Sequence, residues 1–429
     1  MNGATFIPDD FACTIPGLNY LQTHSGNALL AAIIECLILR KNIAVADVAK
    51  WRRQYPEPAV ASAIAVAQSR LKAETKFPEE ADRLWAVPEA LEQATSARVA
   101  QYKARRIAEL AQPEIVLDLC CGIGGDMLAL AGISPVIAAD ISAVRAWMAQ
   151  ANALEFPRKH PVLVVQADMG EFPVRITPGC FAHIDPARRS AGQRGHDFAS
   201  MHPGPAVIAS LLQKVSSGMI KLSPAANFST LPTGHLELIS ERGTVVQALL
   251  WTGAVGAELG ENKRTATVID RGITWSICDS IGDIAAPAML AHRPEKWLYE
   301  VDGAVTRASL SGALAQKLNL KWLSPDGGYL TGQQGIEHPA LTPFAVSDDF
   351  VFTESELFRR VKKTSLETPS NAPAIEIKTR GGLGLDTNQL QKKLSKLGGQ
   401  GCTILIYRSA RGKACVIAQR SEVASSGTQ

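Results

Sequence analysis

Apolar and polar positions follow two different periods along this chain. Up to about residue 110 the period is helical. Asn27 to Arg40 carries Ala28, Leu29, Leu30, Ile33, Ile34, Leu37 and Ile38 on its inner part. Pro58 to Lys76 has apolar residues at helical spacing among strong helix formers. Pro88 stands where a first-turn proline would, opening one helix through Leu91, Val99, Tyr102 and Ile107. Its polar side carries Arg98, Lys103, Arg105 and Arg106. Those four read either as a solvated face or as a basic rim beside the segment that follows.

From residue 115 the pattern changes to short apolar runs separated by helical stretches. Ile115–Leu119, Val136–Ala139, Val162–Ala167, Phe181–Ile184 and Met219–Leu222 read as five strands. Leu236–Ile239 and Arg264–Ile269 read as two more, with Val245–Trp251 ambiguous between them. Alternation of this kind predicts an α/β fold, a mainly parallel sheet with helices on both faces. Ligands in such sheets bind at the carboxyl ends of the strands.

The last third is separate. Pro287 to Pro294 reads as a linker. A strand at Trp297–Glu300, a helix at Val305–Leu318 and short strands at Lys321–Leu323 and Tyr329–Thr331 suggest a small α+β module over 290–345. A second unit over 350–423 follows Phe350–Lys363. It has a strand at Ala374–Arg380 and a helix at Asp386–Leu397 with Asp386 as N-cap. A strand pair, Cys402–Arg408 and Ala414–Arg420, closes it.

Composition narrows the class. The chain has 429 residues, enough for several domains, with 46% hydrophobic and 20% charged residues, ordinary values for a globular protein. No run of eighteen apolar residues predicts a membrane span. The first residues lack the basic start and apolar core of a signal peptide. Eight cysteines without regular spacing, and no C-x-x-C, argue against a disulfide framework and against zinc. A reduced, cytoplasmic protein without metal is the expectation. Net charge is +3, yet Arg359 to Gln429 holds thirteen Lys and Arg against four Asp and Glu, a local balance of +9. Positive charge concentrated on a small α+β unit suggests contact with a phosphate backbone, or merely a solvated basic face.

The chemistry gathers around I-V-L-D-L-C-C-G-I-G-G-D, Ile115 to Asp126. A strand, a glycine turn (Gly122, Gly124, Gly125) and a helix are the unit that holds nucleotide-like ligands in doubly wound proteins. The second strand ends in Asp140, 18 residues after Gly122, where a carboxylate can hold a ribose diol. The spacing G-x-G-G leaves the dinucleotide fingerprint incomplete. Asp168 after the third strand could accept an adenine amino group, with Met169 packing on the ring; it could equally cap a helix. Asp118 suits ordering the turn or meeting an ammonium group.

After the fourth strand comes H-I-D-P-A-R-R-S, His183 to Ser190. It resembles the D/N-P-P-aromatic motif of amino-group methyltransferases, in which Asp185 and the Pro186 carbonyl would orient an attacking amine. Ala187 and Arg188 depart from that motif, and an arginine plane can stack on a base or hold a phosphate. Pyrimidine C5 chemistry needs a cysteine after the fifth strand; Ser223-Pro224-Ala225-Ala226-Asn227 stands there instead. His183 alone reads as a packed strand residue. His196 and Asp197 lie in a polar stretch, Ser190 to Gly204, that reads as a substrate loop or merely a loop.

Asp118 with the glycine turn resembles motif I of class I S-adenosylmethionine (SAM) methyltransferases. With Leu91–Arg106, D-P-A-R-R, Trp297–Ala308 and Glu376–Gly381, the whole chain resembles bacterial class I methyltransferases that carry a THUMP-like C-terminal domain. The resemblance implies a Rossmann-like methyltransferase domain over 111–285 behind a helical region over 1–110. A ferredoxin-like module (290–345) and a THUMP-like domain (350–423) would follow. It implies SAM as cofactor, held by Gln93, Thr95, Asp118, Cys120, Gly122, Gly124, Asp140, Ile141, Asp168 and Met169. Asp185, Pro186 and Arg188 would be catalytic. RNA would be the substrate, met by Lys378, Arg380, Lys392, Lys393 and Lys396. A small-molecule or protein methyltransferase, or a non-catalytic RNA-binding protein, are the alternatives.

Overall fold

A computed structural model describes residues 13–188, 198–280, 290–324, 327–365, 375–380, 382–397, 401–409 and 412–420. The chain divides into two compact units, Met1–Gly234 with Leu249–Leu259, and His235–Ala248 with Gly260–Gln429.

The first unit begins with α1 (Ile15–Leu21), α2 (His24–Arg40), α3 (Val45–Arg52) and α4 (Glu57–Ala73). Leu18, Leu21, Leu29, Ile33, Val60 and Ala63 are fully buried where α1 and α2 meet α4. The close approach needs Gly17: a Cβ there would sit 2.4 Å from the Pro58 carbonyl oxygen. The helix predicted from Pro88 onward is broken in two, α5 (Pro88–Gln93) and α6 (Ala97–Leu110). Ala94 is extended, and Ser96 caps α6 by accepting from the Val99 amide. Lys76 gathers the carbonyls of Leu91, Glu92 and Ala94 at 2.9, 2.6 and 2.9 Å, so a buried-side cation closes α5 where periodicity would have continued it.

Then come β1 (Ile115–Leu119), α7 (Gly125–Leu130), β2 (Val136–Asp140), α8 (Ala143–Glu155), β3 (Val162–Gln166), β4 (Cys180–Ile184), the short pair β5 (Ala187–Arg188) and β6 (Met201–His202), α9 (Pro205–Leu212) and β7 (Ser217–Leu222). The sheet order is β3-β2-β1-β4-β7, parallel throughout. The chain leaves β1 toward β2 on one side and returns to β4 on the other, so the switch point lies between β1 and β4. This is the Rossmann-like α/β arrangement that the apolar runs predict.

Next follow β8 (His235–Glu241), β9 (Thr244–Thr252), α10 (Gly253–Leu259), β10 (Lys263–Asp270) and β11 (Ile273–Ser280). The ambiguous stretch 245–251 is therefore strand. The remaining elements are β12 (Trp297–Val301), α11 (Gly303–Arg307), α12 (Ser311–Lys317), β13 (Lys321–Trp322), β14 (Tyr329–Gly332), β15 (Leu341–Val351), α13 (Glu354–Ser365), β16 (Glu376–Thr379), α14 (Thr387–Leu394), β17 (Thr403–Ser409) and β18 (Gly412–Arg420). The helix expected over Val305–Leu318 is split at Ser309, whose φ is 63°. Strands of 290–345 and of 350–423 share one sheet, β13-β14-β12-β15-β18-β17-β16. The long β15 joins them, pairing with β12 over Leu341–Ala345 and with β18 over Phe344–Val351. Helices α13 and α14 cover one face through Leu357, Val361, Leu390 and Leu394, which pack with Ile404, Ile406, Cys415 and Ile417.

Candidate active site

The turn after β1 is built by left-handed backbone: Cys120, Gly122 and Gly124 have φ of 62°, 57° and 84°. Gly122 donates its amide to Asp140 Oδ2 at 2.9 Å, and Ser142 donates to Oδ1 at 2.9 Å. The 18-residue spacing read from the sequence is thus a contact between turn and strand end. A Cβ on Gly122 would meet nothing within 4 Å, so open space lies before the turn. Asp140 at the end of β2, with Ile141 beside it, fits a ribose diol at that opening. Asp168 uses Oδ1 to cap the next turn at Gly170 N, 2.8 Å. Met169 beside it is 6% exposed.

Beneath the turn lies a buried array that the sequence reading missed. Asp118 and His183 face each other in register across β1 and β4. Asp118 Oδ1 and His183 Nδ1 are 2.7 Å apart, and His183 Nε2 is 3.1 Å from Lys103 Nζ. Lys103 Nζ is 2.6 Å from Asp126 Oδ1, and Thr95 Oγ1 donates to Asp126 Oδ2 at 2.7 Å. A protonated Lys103 donating to Asp126 and to His183 Nε2 makes His183 Nδ1 the donor toward Asp118. Burial pushes the Lys103 ammonium down from its ordinary value, with Asp126 pulling it back. Burial pushes the Asp118 carboxyl up, against the hydrogen bond from His183. Asp126 is pushed up by burial too, but Lys103, then His183 and Lys221, outweigh that and hold it below the usual carboxylate range.

One sequence expectation is corrected here. Lys103 is 1% exposed and belongs to neither a solvated face nor a basic rim. Its place on the stripe Val99, Lys103, Ile107, all buried, is the spacing signal that could have revealed it. Arg98 and Arg105 remain exposed as expected. Asp118 is fully buried, with Oδ1 engaged by His183. Thr95 is 7% exposed, and its hydroxyl donates to Asp126.

Asp185 follows β4 at the same sheet edge, its side chain 31% exposed. Lys221 of β7 contacts its Oδ2 at 2.7 Å and donates to the Gln93 carbonyl at 3.3 Å. Burial lowers and Asp185 raises the Lys221 ammonium; the raising wins. A lysine inside an otherwise buried strand was the available sequence signal. The Gln93 side chain accepts from Arg145 of α8 at 3.1 Å, so the end of α5 touches both the Asp140 and the Asp185 regions. Pro186 is buried; Arg188 is described by its backbone, paired with Met201. His196 and Asp197 lie outside the described residues. Cys120 and Cys121 are held well above the ordinary thiol value, by burial first and Asp140 next, so neither is a ready thiolate. Among the described residues no group of three or more His, Cys, Asp or Glu could hold a metal ion, and no helix is long and apolar enough to cross a membrane.

A methyltransferase of Mycobacterium tuberculosis, known as an uncharacterised S-adenosylmethionine-dependent methyltransferase in two strains, is 31% identical over 335 residues. The match spans 76% of this chain and 84% of its relative. This chain belongs to the SAM-dependent methyltransferases. No family model matches it. A crystal structure described as a methyltransferase from Porphyromonas gingivalis W83 has the same fold, with a TM-score of 0.73 at 20% identity, covering 92% of this chain and 99% of that one. The cofactor of this methyltransferase is accordingly SAM. The open space before Gly122 and the carboxylate at the end of β2 suit its nucleoside.

The cations expected to meet RNA lie in the second unit, and the structure treats them unequally. Glu300 of β12 lies 2.7 Å from Lys378 of β16 and 3.5 Å from Arg380, although three strands separate β12 from β16 in the sheet order. Arg380 also lies over the Tyr329 ring. These two are therefore paired within the protein and only about one-quarter exposed. Lys393 pairs with Glu354 at 2.9 Å on an exposed surface, a weak bond. Lys392 and Lys396 are exposed and meet no acid among the described residues.

Proposed function

We propose that this methyltransferase acts on RNA, at a base nitrogen, with residues 350–423 serving as a THUMP-like RNA-binding domain. The observation that carries the nitrogen assignment is Asp185. One carboxylate oxygen is engaged by Lys221, and the other has no partner among the described residues. A carboxylate is acceptor-only, which fits the N–H of an amine. Pro186 adds a carbonyl and no amide hydrogen, so both neighbouring groups accept. Bound SAM supplies an electrophilic methyl on a sulfonium. The chain's part is to hold the amine so that its lone pair, rather than a hydrogen, faces that methyl. Arg188 would contact the substrate. The absence of a cysteine in 223–227 and the raised thiols of Cys120 and Cys121 favour nitrogen over C5.

The +9 balance of residues 359–429 supports RNA as the substrate class, with Lys392, Lys393 and Lys396 the contacts left at the surface. The test is transfer of labelled methyl to bulk RNA from a strain lacking this protein, with mass spectrometry of its nucleosides. A methylated base present only in wild-type RNA and restored in vitro is expected. Transfer to protein or small molecules alone would replace the RNA reading. SAM binding without any transfer would leave a non-catalytic role.

A further inference from the structure

We propose that Lys221 is a positioning residue for methyl transfer, fixing the Asp185 carboxylate at the end of β4 and tying the end of α5 to the same point. The inference rests on the reading of Asp185 as the amine acceptor. Nζ of Lys221 lies 2.7 Å from Asp185 Oδ2 and 3.3 Å from the Gln93 carbonyl oxygen. Its side chain is 14% exposed, so water screens the pair little. An aspartate one-third exposed has several rotamers open to it; an ammonium on one oxygen removes most of them and leaves the other oxygen for substrate.

Charge adds to geometry. The groups facing Lys221 are Asp185, then Asp126 and Asp118, with Lys103 opposing. Cys120 also lies within the field of Asp185 and is held protonated. Three carboxylates and two ammonium groups thus share a small, mostly dry region. Removing the charge of Lys221 leaves the three carboxylates with Lys103 and the His183 ring as their remaining partners, and leaves the Asp185 side chain, 31% exposed, without the contact that fixes it. An ammonium group beside a carboxylate favours the carboxylate's charged, acceptor-only form. Lys221 therefore keeps the second carboxylate oxygen of Asp185 aimed at the substrate.

The test compares the full-length parent with Lys221→Gln, Lys221→Arg and Asp185→Ala. Glutamine keeps a donor and removes the charge; arginine keeps the charge. Lys221→Gln is expected to lower kcat by roughly 10-fold or more with SAM affinity by calorimetry within about twofold, and to move the acid limb of the rate profile to higher pH. Lys221→Arg should restore the limb and part of the rate. A second readout needs no substrate: the Asp185 carboxyl signal in carbon NMR, identified by its loss in Asp185→Ala. Its acid-induced change should move to higher pH in Lys221→Gln and return in Lys221→Arg. An unmoved signal, or a parental pH profile in Lys221→Gln, overturns the role of Lys221 and leaves Asp185 standing. Full activity in Asp185→Ala overturns the acceptor reading and this inference with it. If the parent methylates no RNA, the RNA assignment falls, and the carboxyl signal alone decides for or against Lys221.

Discussion

Lys103→Met is the perturbation that most directly probes the array under the glycine turn. Methionine keeps an apolar stem at this buried position of α6 and removes the ammonium. Two contacts are lost, 2.6 Å to Asp126 and 3.1 Å to His183. Asp126 keeps the Thr95 hydroxyl and no cation within hydrogen-bond reach. Breaking one partner of a buried pair costs about 3–5 kcal/mol, because the remaining charge stays desolvated. For a unit the size of the first one, about 2–4 °C per kcal/mol gives a fall in Tm of roughly 6–20 °C. The double variant Lys103→Met/Asp126→Asn, with no stranded charge, should recover more than half of that. Calorimetry of the three proteins measures it. Sign also matters. Asp126 is held below its ordinary value, so its stabilisation is present above about pH 4 and lost as pH falls further. Asp118 is raised, so it works in the opposite direction, costing stability as pH climbs through its own range. The double variant should therefore lose less stability than the parent on acidification. A Lys103→Met protein that melts with the parent would refute the reasoning.

Three further outcomes are expected. Asp140→Ala should weaken SAM binding by about 1.5–3 kcal/mol, the scale of hydrogen bonds to a charged group, and it also releases the Gly122 and Ser142 amides; calorimetry giving the parent's affinity would sink this. Asp185→Ala should reduce turnover by roughly 10²-fold with SAM affinity nearly intact, because orientation is the term it removes; single-turnover rates on methylatable RNA decide it. RNA affinity should fall with salt at a slope of log K on log salt near −2, the value for about three phosphates neutralised on a single strand. Reversing Lys392 and Lys396 to Glu should reduce that slope by about 1–2 and weaken all sequences alike. Lys378→Glu should instead lower thermal stability, since it sets two acids together at Glu300; a slope unchanged by the double reversal would place the RNA elsewhere.

What the sequence determined by itself was the central strand–turn–helix unit and its acids. Ile115–Leu119 is a strand with the bounds read from its apolar run, and Asp140 meets Gly122 because a glycine turn and the next strand end are neighbours in any parallel βαβ unit. Local rules suffice there: burial sets the period, and glycine supplies φ near 57° and 84°. Tertiary structure alone decided which polar groups went inside. Lys103, His183 and Asp118 lie 80 and 65 residues apart in sequence pairs, and nothing in their local patterns names the partner. A helical period marks the face on which Lys103 sits, yet only Asp126 and His183 on other elements make an ammonium tolerable on it. Lys76 gathers the carbonyls at the end of α5, and Glu300, distant in sequence, pairs with Lys378 and Arg380. Composition counts charge. Whether a charge faces solvent or another charge depends on contacts between segments far apart in the chain, which pattern and propensity do not encode.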